Sequence, residues 1–298
     1  MKNTPLKSGD TIGIISPAGC VKEPLKLEKA ICFLQKNGFE ILLSPNVLAC
    51  EDYFAGNDDL RLADLHWAFE NPDVNAVLCS RGGYGCARLL DKIDYDLIAK
   101  NPKPIFGYSD VTVLLNNLPC PTFHAPMAVG DFGADEVDEL TWECFLDMLT
   151  IRAPYFFEAI PGGDLINPGI ATGGLMGGNL SVMASLLGTP YFPDLTGKIL
   201  LVEDLNEDMY KIDRMLTQLR LAGVFEKVSG VVFAGFGSTQ VSASFLKQFL
   251  PETVPAFMGF YASHEQSKYT LPFKVEYSLN ADRGALTLLE NVFDSDEM

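Results

Sequence analysis

Three stretches of the chain carry residue types suited to acyl transfer. The first is Pro104-Ile105-Phe106-Gly107-Tyr108-Ser109-Asp110-Val111-Thr112-Val113-Leu114-Leu115. An apolar strand pattern stops at a glycine, a serine follows two residues later, and an apolar helical pattern begins at once. A turn that sharp holds a hydroxyl clear of the sheet, at a helix N-terminus where backbone N–H groups can stabilise an anion. Gly107 lets the chain pass close at the turn. The match to G-x-S-x-G is incomplete, because Val111 stands where the last glycine would be. Helix capping by Ser109 or Asp110 is the competing reading.

The second stretch is Arg81-Gly82-Gly83-Tyr84-Gly85, directly after a strand pattern ending at Cys79. Adjacent glycines can bring backbone N–H groups up to a developing oxyanion without Cβ interference, so Gly83 can supply one donor and the N–H of Asp110 the other. Arg81, Gly82 and Tyr84 are then candidates for substrate contact, with Arg81 as an anion partner. A phosphate cradle would want Lys-Ser/Thr after the glycines, which is absent. A plain tight turn remains open.

A serine nucleophile needs a base, and the chain has three histidines. His66 falls within a helical pattern beside Trp67 and reads as structural or surface. His124, in Thr122-Phe123-His124-Ala125-Pro126, follows a strand-like segment, and His264, in Phe260-Tyr261-Ala262-Ser263-His264-Glu265, sits in a polar loop before Tyr269-Thr270-Leu271-Pro272. Position alone does not choose between them. The orienting acid should end an apolar strand, and the third stretch, Ile199-Leu200-Leu201-Val202-Glu203-Asp204, does so with two carboxylates. Capping of the following helix is the alternative role, one that Asn206 or Asp208 fills equally well.

Elements that position such residues alternate along the first half. Strand patterns at 11–15, 39–43, 76–79 and 104–106 are separated by helical patterns at 25–37, 58–69 and 86–91. Strand, helix, strand in succession predicts parallel pairing with helices on the faces, and sites beyond the carboxyl ends of the strands. Between Arg152 and Gly178, ten prolines and glycines predict an irregular linker. Beyond it come strand patterns at 198–202 and 230–233 and helical patterns at 209–221 and 244–250. The predicted organisation is 1–151 as an N-terminal nucleophile domain, 152–176 as linker and 177–298 as a C-terminal domain carrying the acid and the histidine. The acidic end, Asp294-Ser295-Asp296-Glu297-Met298, reads as a solvated tail.

Composition bounds the function. A formal charge of −17, from 22 Lys+Arg against 39 Asp+Glu, disfavours nucleic acid and anionic lipid as partners. Hydrophobic residues at 48% against 20% charged are globular proportions, and no segment reaches the roughly 18 apolar residues of a membrane helix. The N-terminus has no apolar h-region or cleavage site, which predicts a cytoplasmic protein. The seven cysteines are odd in number, all in the first half, with no C-x-x-C pair, and read as free thiols. No metal or organic cofactor is expected.

Taken in order, these motifs resemble the LD-carboxypeptidase family of serine peptidases, which includes microcin C self-immunity hydrolases. The resemblance is carried by Gly9-Asp10-Thr11-Ile12-Gly13-Ile14-Ile15-Ser16-Pro17-Ala18, by Arg81 to Asp91, and by Gly107-Tyr108-Ser109-Asp110. Further on it rests on Gly177-Gly178-Asn179-Leu180 and on Val202-Glu203-Asp204 with Tyr210-Lys211-Ile212-Asp213-Arg214. It covers nearly the whole chain. It implies an α/β fold in which an N-terminal parallel-sheet domain with a nucleophile elbow is followed by a C-terminal mixed α/β domain, the active site lying between them. It also implies a Ser-Glu-His triad, which falls on Ser109, Glu203 and His264, and so selects His264 over His124.

The implied activity is cytoplasmic removal of the terminal D-alanine from murein tetrapeptides during cell-wall recycling, by a homodimer. Two alternatives stay open. One is a peptide-nucleotide or aminoacyl-nucleotide hydrolase, for which Tyr155, Phe156 and Phe157 are candidate stacking residues or else core. The other is a catalytically silent binding protein of the same fold. This chain departs from the family pattern where Ser263-His264 replaces Gly-His, where Leu271-Pro272-Phe273-Lys274 replaces Leu-Pro-x-Gly, and where His124-Ala125-Pro126 replaces His-Gly-Pro. The lost glycines bear on pocket shape more than on chemistry.

Overall fold

The computed structural model describes residues 5–150 and 153–293, so the acidic end lies outside the described residues. The chain forms two compact units, one from residues up to 150 with a return at 292–293, the other from 153–291.

In the first unit, β1 (Thr11–Ile15), β2 (Glu40–Leu43), β3 (Ala76–Cys79), β4 (Ile105–Gly107) and β5 (Thr122–His124) pair in the order β5-β4-β3-β1-β2. Every one of these pairings is parallel, as the alternating pattern predicts. The helices between them are α1 (Pro24–Lys36), α2 (Asp58–Glu70), α3 (Tyr95–Lys100) and α4 (Thr112–Asn117), followed by α5 (Glu139–Thr150). Leu27, Ala30 and Leu34 supply the buried stripe of α1 at helical spacing. Asn57 caps α2, its side chain accepting the Leu60 N–H at 3.0 Å. The order 2-1-3-4-5 reverses between β1 and β3, the switch point beyond whose strand ends sites form, and here the loops leaving those two strands meet, the Gly19 N–H donating to the Gly82 carbonyl at 3.2 Å.

Those two loops are tied together from below by a charge cluster. Arg61 on α2 is buried, yet it donates to the Pro17 carbonyl at 2.8 Å and to Asp58 at 2.5 Å. Asp58 also accepts from Arg88 Nε at 2.8 Å and Lys92 Nζ at 3.1 Å. Hydrogen bonding to Arg88 first, then Lys92 and the Arg61 charge, overcome burial and hold the Asp58 carboxyl at about 2.

The second unit differs from expectation. The stretch 152–176, read above as an irregular linker, contains β6 (Tyr155–Asn167) and most of β7 (Ile170–Asn179). Its glycines are places where the sheet bends and backbones meet. A Cβ on Gly173 would lie 2.3 Å from the Gly197 carbonyl, and one on Gly177, at φ +116°, would lie 2.2 Å from that of Leu201. With β8 (Ile199–Glu203), β9 (Gly230–Phe233), β10 (Ala256–Phe260), the two-residue β11 (Leu271–Pro272), β12 (Glu276–Asn280) and β13 (Ala285–Leu288), the strands are complete. Seven of them close a barrel, β10-β6-β13-β12-β7-β8-β9. The run β7, β8, β9, β10 is parallel and the remaining pairings are antiparallel.

Helices α6 (Leu180–Leu186), α7 (Met209–Leu221) and α8 (Ala243–Lys247) cover the parallel strands. Leu200 and Val202 of β8 share one apolar cluster with Ile212 and Leu216 of α7. Because side chains alternate across a strand, Ile199, Leu201 and Glu203 face the other way, and all five residues of β8 are buried. Among the described residues no helix is long and apolar enough to cross a membrane.

The Asp58 cluster sets an acid limit on the first unit. A carboxyl held at about 2 contributes stability that is fully present above the ordinary aspartate value near 4 and is lost as pH falls toward 2. Asp58→Asn should therefore destabilise the protein by about 2–3 kcal/mol at pH 7, since it leaves Arg61 buried and unpaired. Urea unfolding of both proteins at pH 7 and near pH 2 should show the gap closing in acid.

Candidate functional site

Ser109 sits where β4 hands over to a turn of 3-10 helix, Ser109–Val111, that runs into α4. Its φ is +62°, a left-handed backbone that a non-glycine residue adopts only when its surroundings impose it. What surrounds it is the glycine loop. A Cβ on Gly82 would stand 2.7 Å from Ser109 Cβ and 2.8 Å from its Oγ, so only glycine lets the two turns touch. The Gly82 carbonyl is held away by the Gly19 N–H at 3.2 Å, and Gly83 takes φ +126°. Neither the N–H of Gly83 nor that of Asp110 reaches a protein acceptor among the described residues. Two unspent donors thus flank one hydroxyl, which is the layout that stabilises an oxyanion.

The Asp110 side chain fixes this arrangement. Its buried Oδ2 accepts the Cys86 N–H at 2.8 Å, binding the far end of the glycine loop to the serine turn. Burial pushes its carboxyl upward, against the Cys86 hydrogen bonds that pull it down. Arg81 spends Nε on the Gly82 carbonyl and Nη1 on that of Cys20, both at 3.2 Å. Tyr84 is exposed and its ring lies 5.9 Å from that of Tyr53. Helix capping does not describe Ser109: the cap positions of the 3-10 turn and of α4 are Tyr108 and Val111, and neither side chain makes a cap hydrogen bond.

In the second unit Glu203 and His264 meet. The parallel strands β8, β9 and β10 end together, so the loop after β10 returns over the end of β8. There the His264 Nδ1–H donates to Glu203 Oε2 at 2.8 Å. Glu203 is wholly buried, whereas the His264 side chain keeps 14% of its exposure. A buried carboxylate on Nδ1 fixes the tautomer and leaves Nε2 as the nitrogen that can take up a proton. His124, the other candidate base, is fully buried at the end of β5 with its ring 5.9 Å from Tyr108. His66 accepts the Asp94 N–H at 3.0 Å, a structural role.

The acids 203 and 204 do not cap the helix that follows them. Asp204 turns back to α6, accepting from the Ser181 N–H at 2.9 Å and from Asn179 Nδ2 at 3.1 Å. Burial raises its carboxyl, and the neighbouring Glu203 adds to this. Asn179 caps α6 through the Val182 N–H at 3.1 Å, which accounts for the Gly177-Gly178-Asn179-Leu180 motif as a support beneath Glu203. Sequence reasoning missed this bridge, although an asparagine before an apolar helical run is the signal for it. Phe157 is core and Phe156 is 69% exposed, so the aromatic triplet divides between packing and surface. Among the described residues no group of three or more His, Cys, Asp or Glu is placed to hold a metal ion.

Models of the LD-carboxypeptidase N-terminal and C-terminal domains match residues 12–125 and 172–279. A probable murein peptide carboxypeptidase of Bacillus subtilis is 38% identical over 92% of this chain and 90% of its own. The chain belongs to the LD-carboxypeptidase family. Among solved structures, muramoyltetrapeptide carboxypeptidase from Oxalobacter formigenes matches with TM-score 0.82 at 31% identity, covering 93% of this chain and 97% of that one. The microcin C7 self-immunity protein MccF in complex with aspartyl sulfamoyl adenosine matches with TM-score 0.90 at 26% identity, covering 99% and 100%.

Against the family pattern, the departures at 125 and 263 are benign. Neither Ala125 nor Ser263 has a positive φ, and buried Ser263 occupies room left by Gly235, whose Cβ would lie 2.7 Å from Ser263 Oγ. Position 274 is different, because Lys274 keeps the left-handed backbone, φ +68°, that a glycine would hold there without strain.

Two substitutions test these backbones. Gly82→Ala should lower kcat/KM on a family substrate by about 100-fold or more, because displacing the nucleophile turn costs alignment, and should lower the thermal midpoint by a few degrees, because the added methyl overpacks the turn by about 1–3 kcal/mol. Lys274→Gly should stabilise the second unit by about 1 kcal/mol, read as a shift of the urea midpoint.

Proposed function

We propose that the protein is a serine LD-carboxypeptidase that cleaves the L,D-peptide bond to the terminal D-alanine of a murein tetrapeptide, with Ser109, Glu203 and His264 as its triad. The observation that carries this reading is the 2.8 Å bond between a buried Glu203 and His264 in a chain 38% identical to a probable murein peptide carboxypeptidase. His264 Nε2 takes the proton from Ser109 as Oγ attacks the scissile carbonyl, and Glu203 stabilises the imidazolium that results. The N–H groups of Asp110 and Gly83 receive the oxyanion. His264 then gives its proton to the departing D-alanine amine, and water, deprotonated by the same nitrogen, releases the acyl-enzyme. Arg81, together with Gly82 and Tyr84, lines the approach. Its Nη2, which makes no described hydrogen bond, supplies the local positive charge that a net charge of −17 conceals. The same reading takes the enzyme as a cytoplasmic homodimer.

The similarity to an immunity protein holding aspartyl sulfamoyl adenosine favours a second reading, hydrolysis of a peptide-nucleotide or aminoacyl-nucleotide conjugate by the same triad. Parallel assays separate them. The murein reading expects D-alanine release from the tetrapeptide, and turnover of the conjugate alone would replace it with the second.

Ser109→Ala should abolish D-alanine release, and Glu203→Gln should lower kcat by about 1,000-fold or more with KM little changed, because the wrong tautomer of His264 is then favoured. Near-normal turnover in Ser109→Ala would remove the mechanism, whereas no release of product by the wild-type protein from either substrate would leave the silent binding protein.

A further inference from the structure

All seven cysteines are free thiols, but two of them are in contact. Cys50 Sγ donates to Cys20 Sγ at 2.7 Å, only about 0.7 Å beyond the ~2.05 Å of a disulfide bond. Cys20 is buried in the loop leaving β1, and Cys50 is exposed in the segment between β2 and α2. The Cys20 backbone belongs to the glycine-loop assembly. Its N–H donates to the Tyr53 carbonyl at 3.2 Å, its carbonyl accepts from Arg81 Nη1 at 3.2 Å, and the preceding residue, Gly19, holds the Gly82 carbonyl at 3.2 Å. A thiol that solvent can reach is therefore in line with one that underlies the loop against Ser109.

We propose that Cys20 and Cys50 are a redox-modification site, closing to a reversible disulfide when a hydroperoxide reaches Cys50. The Cys50 thiolate attacks a peroxide oxygen, so that an S–O bond forms, the O–O bond breaks and hydroxide leaves. Cys20 sulfur then attacks the sulfenic sulfur, forming S–S and breaking S–O, and the second hydroxide leaves. The two thiol protons convert the two hydroxides to water, and the two electrons lost by the sulfurs are those that reduce hydrogen peroxide. A dithiol reductant reverses the step. The hydrogen bond to Cys20, with burial and nearby Asp52, keeps Cys50 more protonated than an ordinary thiol, while Lys22 opposes this. The site thus answers sustained peroxide rather than a trace of it. Because the bond would close the loop from 20 to 50 and stiffen the bed of Gly82 and Gly83, oxidation raises stability locally.

The test uses the wild-type protein, treated with excess hydrogen peroxide, denatured in iodoacetamide, digested and analysed by mass spectrometry. The expected result is a crosslinked peptide joining Cys20 to Cys50, lost on addition of dithiothreitol. It should come with a rise of roughly 5 °C in the first thermal transition and slowed amide exchange over 16–20 and 81–85. Cys50→Ser should lose all three effects, and Cys32→Ser should keep them. Cys50 recovered as sulfinic acid with Cys20 still alkylated, or a crosslink without any change in thermal midpoint or exchange, would overturn the proposal. None of these readouts depends on the substrate.

Discussion

Ser109 holds a backbone at φ +62° that no isolated peptide would choose, and the first unit is organised around imposing it. Strand β4 delivers the chain into the turn, α4 takes it away, and the bare Cα of Gly82 fills the space on the side where any other residue would collide with the serine. Strain of this kind, worth about 1–3 kcal/mol, persists only where neighbours over-determine it. Here they do so through one backbone hydrogen bond, Gly19 to Gly82, and two between backbone and side chain, Cys86 N–H to the Asp110 carboxylate and the Arg61 guanidinium to the Pro17 carbonyl. The reward is a hydroxyl presented beside two unspent N–H donors.

The second unit solves a different problem, that of holding a carboxyl group immobile inside an apolar strand bundle. Glu203 is buried on the face of β8 opposite the helices, where an unpaired charge would be costly. His264 answers one oxygen, and the Asp204, Asn179 and Ser181 bridge fixes the strand end beneath it. Three consecutive parallel strands make the meeting possible, since only parallel strands end on the same edge. The antiparallel part of the barrel, rich in glycine, closes the sheet and leaves no exposed edge along it.

Much of this was legible beforehand. The parallel order in the first half followed from alternating patterns, and the serine turn followed from a strand, a glycine, a serine and a helix in twelve residues. The pairing of Glu203 with a histidine was legible only as a resemblance, because His124 and His264 are equivalent by position. The barrel was not legible at all. Between 155 and 179 the usual punctuation of a linker, proline and glycine, marks instead the positions where strands bend and cross at van der Waals contact.

The sequence by itself determined which residue types are available and at which strand ends they stand, because periodicity and turn chemistry are local properties of the chain. Tertiary structure alone decided which of two histidines meets a buried acid 61 residues away. It alone decided that Gly82 must lack a side chain to face Ser109, and that two cysteines 30 residues apart touch. Those are distances between segments that share no local signal, and they exist only once the sheet order has brought the segments together.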